Sequence, residues 1–577
     1  MKQLIQTRWQ AFSRTPFGCL LRLFIGRMFH GGGEPGAEEL DLGIGVILIM
    51  LAMPGILVSL LMFEKYGSLI RYLRGNPIFD PYTATMPDEY FFLVLSLTVT
   101  GAAALWRWDA LFLDRRDYTN LVPLPLPLRT IFFANLTAIV ALAALFTLVV
   151  NAASLILFPV AVVGSQNSFA VWIRFTLGHT VAAFTASAFS FFAVFALAGL
   201  LMAVLPARLF RRFSHAARFL VAVVLLALIA SSFTVPYLLT KLSVPAAHKI
   251  AALPPVSFLG LARNVWLQGA DHFAANMSKA ALSAVALTVL IAFVAYAISF
   301  RRSFLRIPEM ADAGPLPRLR RSLSPLAPLH HAILRNAPQR ACYHFVAKTL
   351  LRSDGHLQVL LGFAALGLVL SGERASSAPN LRSLVTGQLP SAEFLSVPFI
   401  LAYCVIVGIR FAFELPADLR ANWIFRYWLD PDQQDARAIA RCVLLLFSLP
   451  WLVPAVFLSV LFSWGWVAAL LHAVILTACT VLLVETILIR FRKIPFTCSH
   501  PAFQSHSGLI FVAYLFGFLF FTDYLPQMER WSVANPWQAI LFVPLIAAGL
   551  LGLRQYRKQM LDMDKQLIFE EPSPSLF

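Results

Sequence analysis

The stretch LWRWDALFLDRRDYTNLVPLPLPLRT, residues 105–130, decides how this chain is read. It follows an apolar run, gathers Asp109, Asp114, Arg115, Arg116 and Asp117, passes through Pro123, Pro125 and Pro127, and leads into a second apolar run. Charge at that density is excluded from hydrocarbon, so the stretch marks a water-facing hinge between two membrane spans. The prolines stop the incoming helix and favour an extended turn, and a new helix is expected from about Leu128. A second stretch, RFAFELPADLRANWIFR at 410–426, has the same make-up. Its Leu415-Pro416 pair parallels Leu124-Pro125, and Arg420, Trp423, Phe425, Arg426 and Trp428 mix charge with aromatic rings. The two hinges lie about 300 residues apart, roughly half the chain. That is the layout of a duplicated transporter with two contact points on one side of the bilayer.

Composition supports the membrane reading. The 577 residues are 59% hydrophobic and only 13% charged, with a mean hydropathy of +0.74. A soluble domain carries about 25% charged residues, so there is too little polar surface here to cover a globule in water. The net charge of +17 is read as basic residues retained on the inner side of many spans, and not as a nucleic-acid footprint. None of the six cysteines (Cys19, Cys342, Cys404, Cys442, Cys479, Cys498) falls in a segment placed outside, so no disulfide framework is expected. No signal-peptide pattern opens the chain, and the first long apolar run starts near Leu42.

A spanning helix needs about 20 mostly apolar residues. Runs meeting that need lie near 43–62, 90–106, 131–161, 169–204, 218–240 and 279–300, then near 357–372, 391–410, 440–463, 466–489, 508–525 and 536–553. The runs 131–161 and 169–204 exceed the requirement and are expected to tilt or to continue beyond the hydrocarbon. With the N-terminus inside, 35 of the 46 Lys and Arg fall in inner segments and 10 in outer ones, while Arg174 sits within a span. The bias holds through seven consecutive inner segments, which predicts twelve spans with both termini cytoplasmic.

The fold class expected is therefore an all-α integral membrane protein of about 12 transmembrane helices in two parallel six-helix repeats. The first half is 1–300, an Arg- and Pro-rich cytoplasmic linker is 301–330, and the second half is 331–577. Each half opens with an amphipathic surface helix. One carries Leu4, Trp9, Phe12, Phe17, Leu20, Leu21, Phe24 and Ile25 among arginines, and the other carries Ile333, Leu334, Phe345, Val346 and Leu350.

Among motifs, absence is informative. The chain has no Gly-Lys dipeptide, so no Walker A loop exists in it, and ATP, if used, is bound by another chain. Cys498-Ser-His500 with His506 matches no standard zinc spacing, and no metal or cofactor site is predicted. No Ser-His-Asp or paired-carboxylate arrangement points to catalysis. Ionisable residues inside spans are Arg174 and His179 in the fourth, and His472 and Glu485 in the tenth. Arg174 lies near an outer end and Glu485 about one turn from Arg490, both read as structural, while Asp523 and Glu529 are read as solvated at an outer turn. The outer segments offer Asp80, Asp88, Glu89, His248, Asp271 and His272.

Leu121-Val-Pro-Leu-Pro-Leu-Pro-Leu-Arg-Thr-Ile-Phe-Phe-Ala134 resembles the loop between the second and third spans of ABC-2 type transporter permeases, with a Leu-Pro pair followed by a helix start. Leu124, Pro125, Arg129 and Ala134 fit that pattern, while Asn135 stands where the family usually has lysine. The surface helix before the first span and the long outer segment with Leu253-Pro254-Pro255 are similar too; the likeness is fullest over 1–300. The resemblance implies a permease without its own ATPase, whose hinges form coupling helices against a separate ABC ATP-binding subunit, two copies per chain. It implies export of a lipid, peptide, drug or polysaccharide, and the lack of dense intramembrane charge leans toward amphipathic cargo. The expected location is a bacterial inner membrane. The coupling residues expected are Asp114, Arg115, Arg116, Asp117, Leu124, Pro125, Arg129, Leu415, Pro416, Arg420, Trp423 and Arg426. A twelve-span secondary transporter and a membrane-embedded lipid-modifying enzyme are the alternatives.

Overall fold

Every regular element among the described residues is helical, and this follows from the bilayer: helices close all their backbone hydrogen bonds within one segment. The structure is a computed structural model. It describes residues 14–29, 37–73, 85–113, 115–163, 169–241, 253–269, 271–303, 334, 336–376, 390–417, 422–428, 435–489, 491, 493–498, 507–535 and 539–563. Among these residues, ten helices are long and apolar enough to cross a membrane by length and composition. The chain divides into two units, Met1–Leu316 and Pro317–Phe577.

The first unit runs α1 (Pro16–Phe29), α2 (Ala37–Leu73), α3 (Met86–Trp106), α4 (Arg115–Leu121), α5 (Leu128–Val163), α6 (Phe169–Val204), α7 (Ala207–Lys241), α8 (Pro254–Trp266) and α9 (His272–Ser303). Helix α1 presents Leu20, Phe24 and Met28 at i, i+4, i+8 to a core shared with Ile131, Ala134 and Ala138 of α5. Helices α5 and α6 have 36 residues each, about 54 Å at 1.5 Å per residue, well beyond a hydrocarbon core of about 30 Å.

Small residues let the spans approach. A Cβ added to Gly178 of α6 would lie 2.6 Å from the Ala262 carbonyl oxygen of α8, so only glycine permits that crossing. Polar side chains tie the bundle. Asn151 Nδ2 donates to Ser187 Oγ at 2.9 Å, Ser96 Oγ donates to Asn151 Oδ1, and Ser190 Oγ donates to the Leu97 carbonyl at 2.6 Å. Helix α8 was not expected. Pro254 and Pro255 start it because proline suits the first helical positions, and its Val256, Phe258, Leu259 and Leu261 are buried.

The second unit repeats this order: α10 (Ala337–Arg352), α11 (Asp354–Ser376), α12 (Ala392–Ala412), α13 (Asn422–Trp428), α14 (Asp435–Trp464), α15 (Trp466–Ile487), α16 (Ser507–Leu519), α17 (Leu525–Ala534) and α18 (Ala539–Met563). A π-helical turn, Phe520–Tyr524, joins α16 to α17. Helix α10 packs Tyr343, Val346, Ala347 and Leu350 against Ile439, Ala440 and Val443 of α14. Burial pushes the Tyr343 phenol up to about 12, with Cys442 nearby adding to the rise.

Candidate functional site

The two hinges are built by equivalent elements in each unit. In the first, α3 ends at Trp106 and the chain turns with Trp108, Leu111 and Phe112 buried. Arg107 Nη2 donates to the Phe29 carbonyl of α1 at 2.8 Å, and burial lowers the Arg107 guanidinium from its ordinary range. Arg27 of α1 forms an ion pair with Asp117 of α4 and donates to the Ala110 carbonyl at 2.8 Å. Arg218 of α7 pairs with Asp109 and lies 5.5 Å over the Trp108 ring. The hinge is thus clamped by two arginines that reach in from α1 and α7 and by its own Arg107, which reaches out to α1.

Downstream, Leu121 is buried and anchors α4, while Val122, Leu124, Pro125, Leu128 and Arg129 are exposed. Asn135, the departure from the permease pattern, is fully buried: its Nδ2 donates to Tyr296 Oη of α9 at 2.8 Å and to the Leu111 carbonyl at 3.4 Å. A lysine there would bury an ammonium among apolar rings, so an amide that ties span to hinge fits the site better.

The second hinge is held by packing and backbone pairing. Phe413 is buried, and Glu414 pairs with both Arg410 and Lys493. His356 Nε2 lies 3.0 Å from the Leu415 carbonyl, which accepts, so Nδ1 accepts from Ser353 Oγ at 2.7 Å. Ala417 N–H donates to the Phe496 carbonyl at 3.0 Å, and Asn422 Nδ2 to the Thr497 carbonyl at 2.7 Å. Phe496, at a φ of 72°, stacks its ring edge-on to Phe413 and to His356. Phe345 of α10 meets Phe425 of α13 at 5.2 Å. On this platform Trp423 is 66% exposed, Tyr427 83% and Ile424 42%, with Leu415 exposed and Pro416 half-buried.

Of the expected coupling residues, Asp117 is held inside the first hinge by Arg27, and Leu124, Pro125, Arg129, Leu415 and Trp423 are exposed. Arg115 and Arg116 fall on α4 and Arg426 on α13, with only their backbone described; Asp114 and Arg420 lie outside the described residues, as do His500 and His506.

The intramembrane residues divide differently. Arg174 is exposed, with Nε and Nη2 3.2 Å from the Gln268 amide once its oxygen is turned toward the guanidinium. His179 is fully buried between Phe92 and Phe158, and neither ring nitrogen has a hydrogen-bond partner among the described residues. His472 is buried, and its Nδ1 hydrogen-bonds Glu529 of α17. Glu485 is gripped by Arg437, Arg441 and Arg557, and Arg490 lies outside the described residues.

Two expectations are corrected. Glu529 is fully buried, not solvated, because α17 packs on α15, whereas Asp523 stays partly exposed and pairs with Arg374. Asp88 and Glu89 are not in an outer loop but open α3. Asp88 bonds Lys65 at 2.6 Å and also Tyr66, and Glu89 lies 4.0 Å from Arg263 of α8. Comparison of the chain with protein-family models, with curated proteins and with solved structures finds no match.

Proposed function

We propose that this chain is the membrane-spanning permease of an ATP-driven exporter of ABC-2 type, with two fused six-span halves that dock a separate ATP-binding subunit beneath each hinge. The observation that carries the reading is α13: a seven-residue helix between two spans whose Trp423, Ile424 and Tyr427 face outward while its other side is pinned. Large aromatics left uncovered on a braced, water-side helix suit burial against a protein partner, since Trp and Tyr carry much of the energy at interfaces. The equivalent α4 hinge exposes Val122, Leu124 and Leu128.

The same surface helix, span, span, hinge helix, span order in both units supports a duplicated permease. The helical runs Ser507–Ala534 and Ala539–Met563 would complete twelve spans, with both termini in the cytoplasm of a bacterial cell. In this reading the α1 and α10 clamps transmit ATP-driven movement of the docked subunits to each bundle as rigid bodies. Affinity purification of the tagged chain from its native membrane, with mass spectrometry, tests it. An ATP-binding subunit should be recovered with the parent chain and lost when Arg115, Arg116, Arg420 and Arg426 are reversed in charge. Failure to recover one in several mild detergents overturns the reading.

The buried His472–Glu529 pair supports a second reading, a secondary transporter coupled to protons. Transport that follows an ion gradient without ATP would favour it.

A further inference from the structure

Three arginines converge on one carboxylate where α14 begins, α15 ends and α18 passes. Glu485 Oε2 accepts from Arg437 Nη2 and from Arg557 Nη1, both at 3.0 Å, and Arg441 Nε lies 3.1 Å from Oε1. One carboxylate offsets one of the three guanidinium charges, and among the described residues no other acid pairs with any of them. Counted over the described residues, the cluster carries excess positive charge in a partly dry site. Arg437 Nε is buried without a hydrogen-bond partner among the described residues, while the Arg441 side chain is 41% exposed and opens the cluster to its surroundings.

Its depth is that of a headgroup. Glu485 stands two residues before the end of the apolar stretch Trp466–Ile487, and Arg437 is the second residue of the stretch Ala436–Trp464. Leu482 of α15 packs against Gly549 of α18, which brings Arg557 alongside. Guanidinium forks match phosphate oxygens, and basic pockets between spans at the membrane surface suit anionic headgroups.

We propose that Arg437, Arg441 and Arg557 form a binding site for the phosphate of an anionic phospholipid, with Glu485 as the internal counter-ion that gathers the three guanidinium groups. The proposal does not depend on the ATPase reading.

Native mass spectrometry of the full chain in mild detergent, titrated with phosphatidylglycerol, with phosphatidylcholine and with inorganic phosphate, tests it. Phosphatidylglycerol should bind in preference to phosphatidylcholine, and Arg441→Gln should cut the preference about fivefold, the contribution of one basic residue at a membrane surface. Arg441→Gln with Arg557→Gln should remove most of the rest. Arg374→Gln, which breaks an ion pair elsewhere in the same unit, serves as the folded control and should keep the preference. Equal binding of the two lipids by the parent chain overturns the proposal, as does a preference that survives the double substitution. Displacement of the lipid by low-millimolar inorganic phosphate overturns the lipid assignment in favour of a free anion.

Discussion

The two hinges occupy the same place in the element order and are held by different chemistry. The first is clamped by charge: Arg27 and Arg218 reach in from α1 and α7, and the hinge's own Arg107 reaches out to α1. It then offers a proline-rich aliphatic edge. The second has its charge gathered on one acid, Glu414, between Arg410 and Lys493; it is also wedged by Phe413, Phe425 and Phe496, with backbone hydrogen bonds to the 493–498 turn, and it offers two aromatics. The comparison teaches that one place in the element order can be held by different means. On the proposed function, the unequal exposed surfaces would take unequal shares of the partner's binding energy.

The largest expected effect breaks the stronger contact. Trp423→Ala with Tyr427→Ala should weaken capture of the ATP-binding subunit about 700-fold, because an aromatic hot spot contributes about 2 kcal/mol and the pair about 4 kcal/mol. Quantitative pull-down checks this, and unchanged capture would remove the second hinge from the interface. Next is Glu414→Ala, which removes the acid that Arg410 and Lys493 share in a nearly buried pocket. It should cost about 3 kcal/mol of stability, measured as a fall in Tm in detergent, whereas Asp523→Ala at a half-exposed pair should cost about 1 kcal/mol or less. Third, Asp117→Asn loosens the Arg27 clamp and should cost about 1–2 kcal/mol. It should also lower transport while leaving subunit capture through α13 intact, which separates holding the hinge from offering it. The smallest effect is Val122→Ala with Leu124→Ala, about a threefold loss of capture at an aliphatic edge. If that pair outweighs the aromatic pair, the asymmetry runs the other way.

Much of the architecture was legible in the sequence because spans announce themselves locally. Twenty apolar residues bounded by Arg115-Arg116 or by Leu415-Pro416 need no knowledge of their neighbours, and the first surface helix shows its apolar side at Phe17, Leu20, Leu21 and Phe24. What escaped was carried by pairing across the chain. Glu529 reads as a solvated acid until α17 brings it to His472, 57 positions away, and Glu485 reads as a neighbour of Arg490 until α14 and α18 supply its partners. Helix α8 was masked by its own prolines, which look like a loop but sit at the first helical turn. The exposed face of α13 was only half visible: Trp423 and Phe425 lie two apart in sequence, and on a helix that spacing sends one outward and the other to Phe345.

The most direct test of the central claim places a photo-crosslinking amino acid at position 427 in the native membrane, with a control at position 462, where Phe462 is exposed within the apolar stretch Ala436–Trp464. The account predicts a covalent adduct between position 427 and an ATP-binding subunit, increased when nucleotide is supplied, and none from position 462. An adduct confined to lipid at both positions would contradict it.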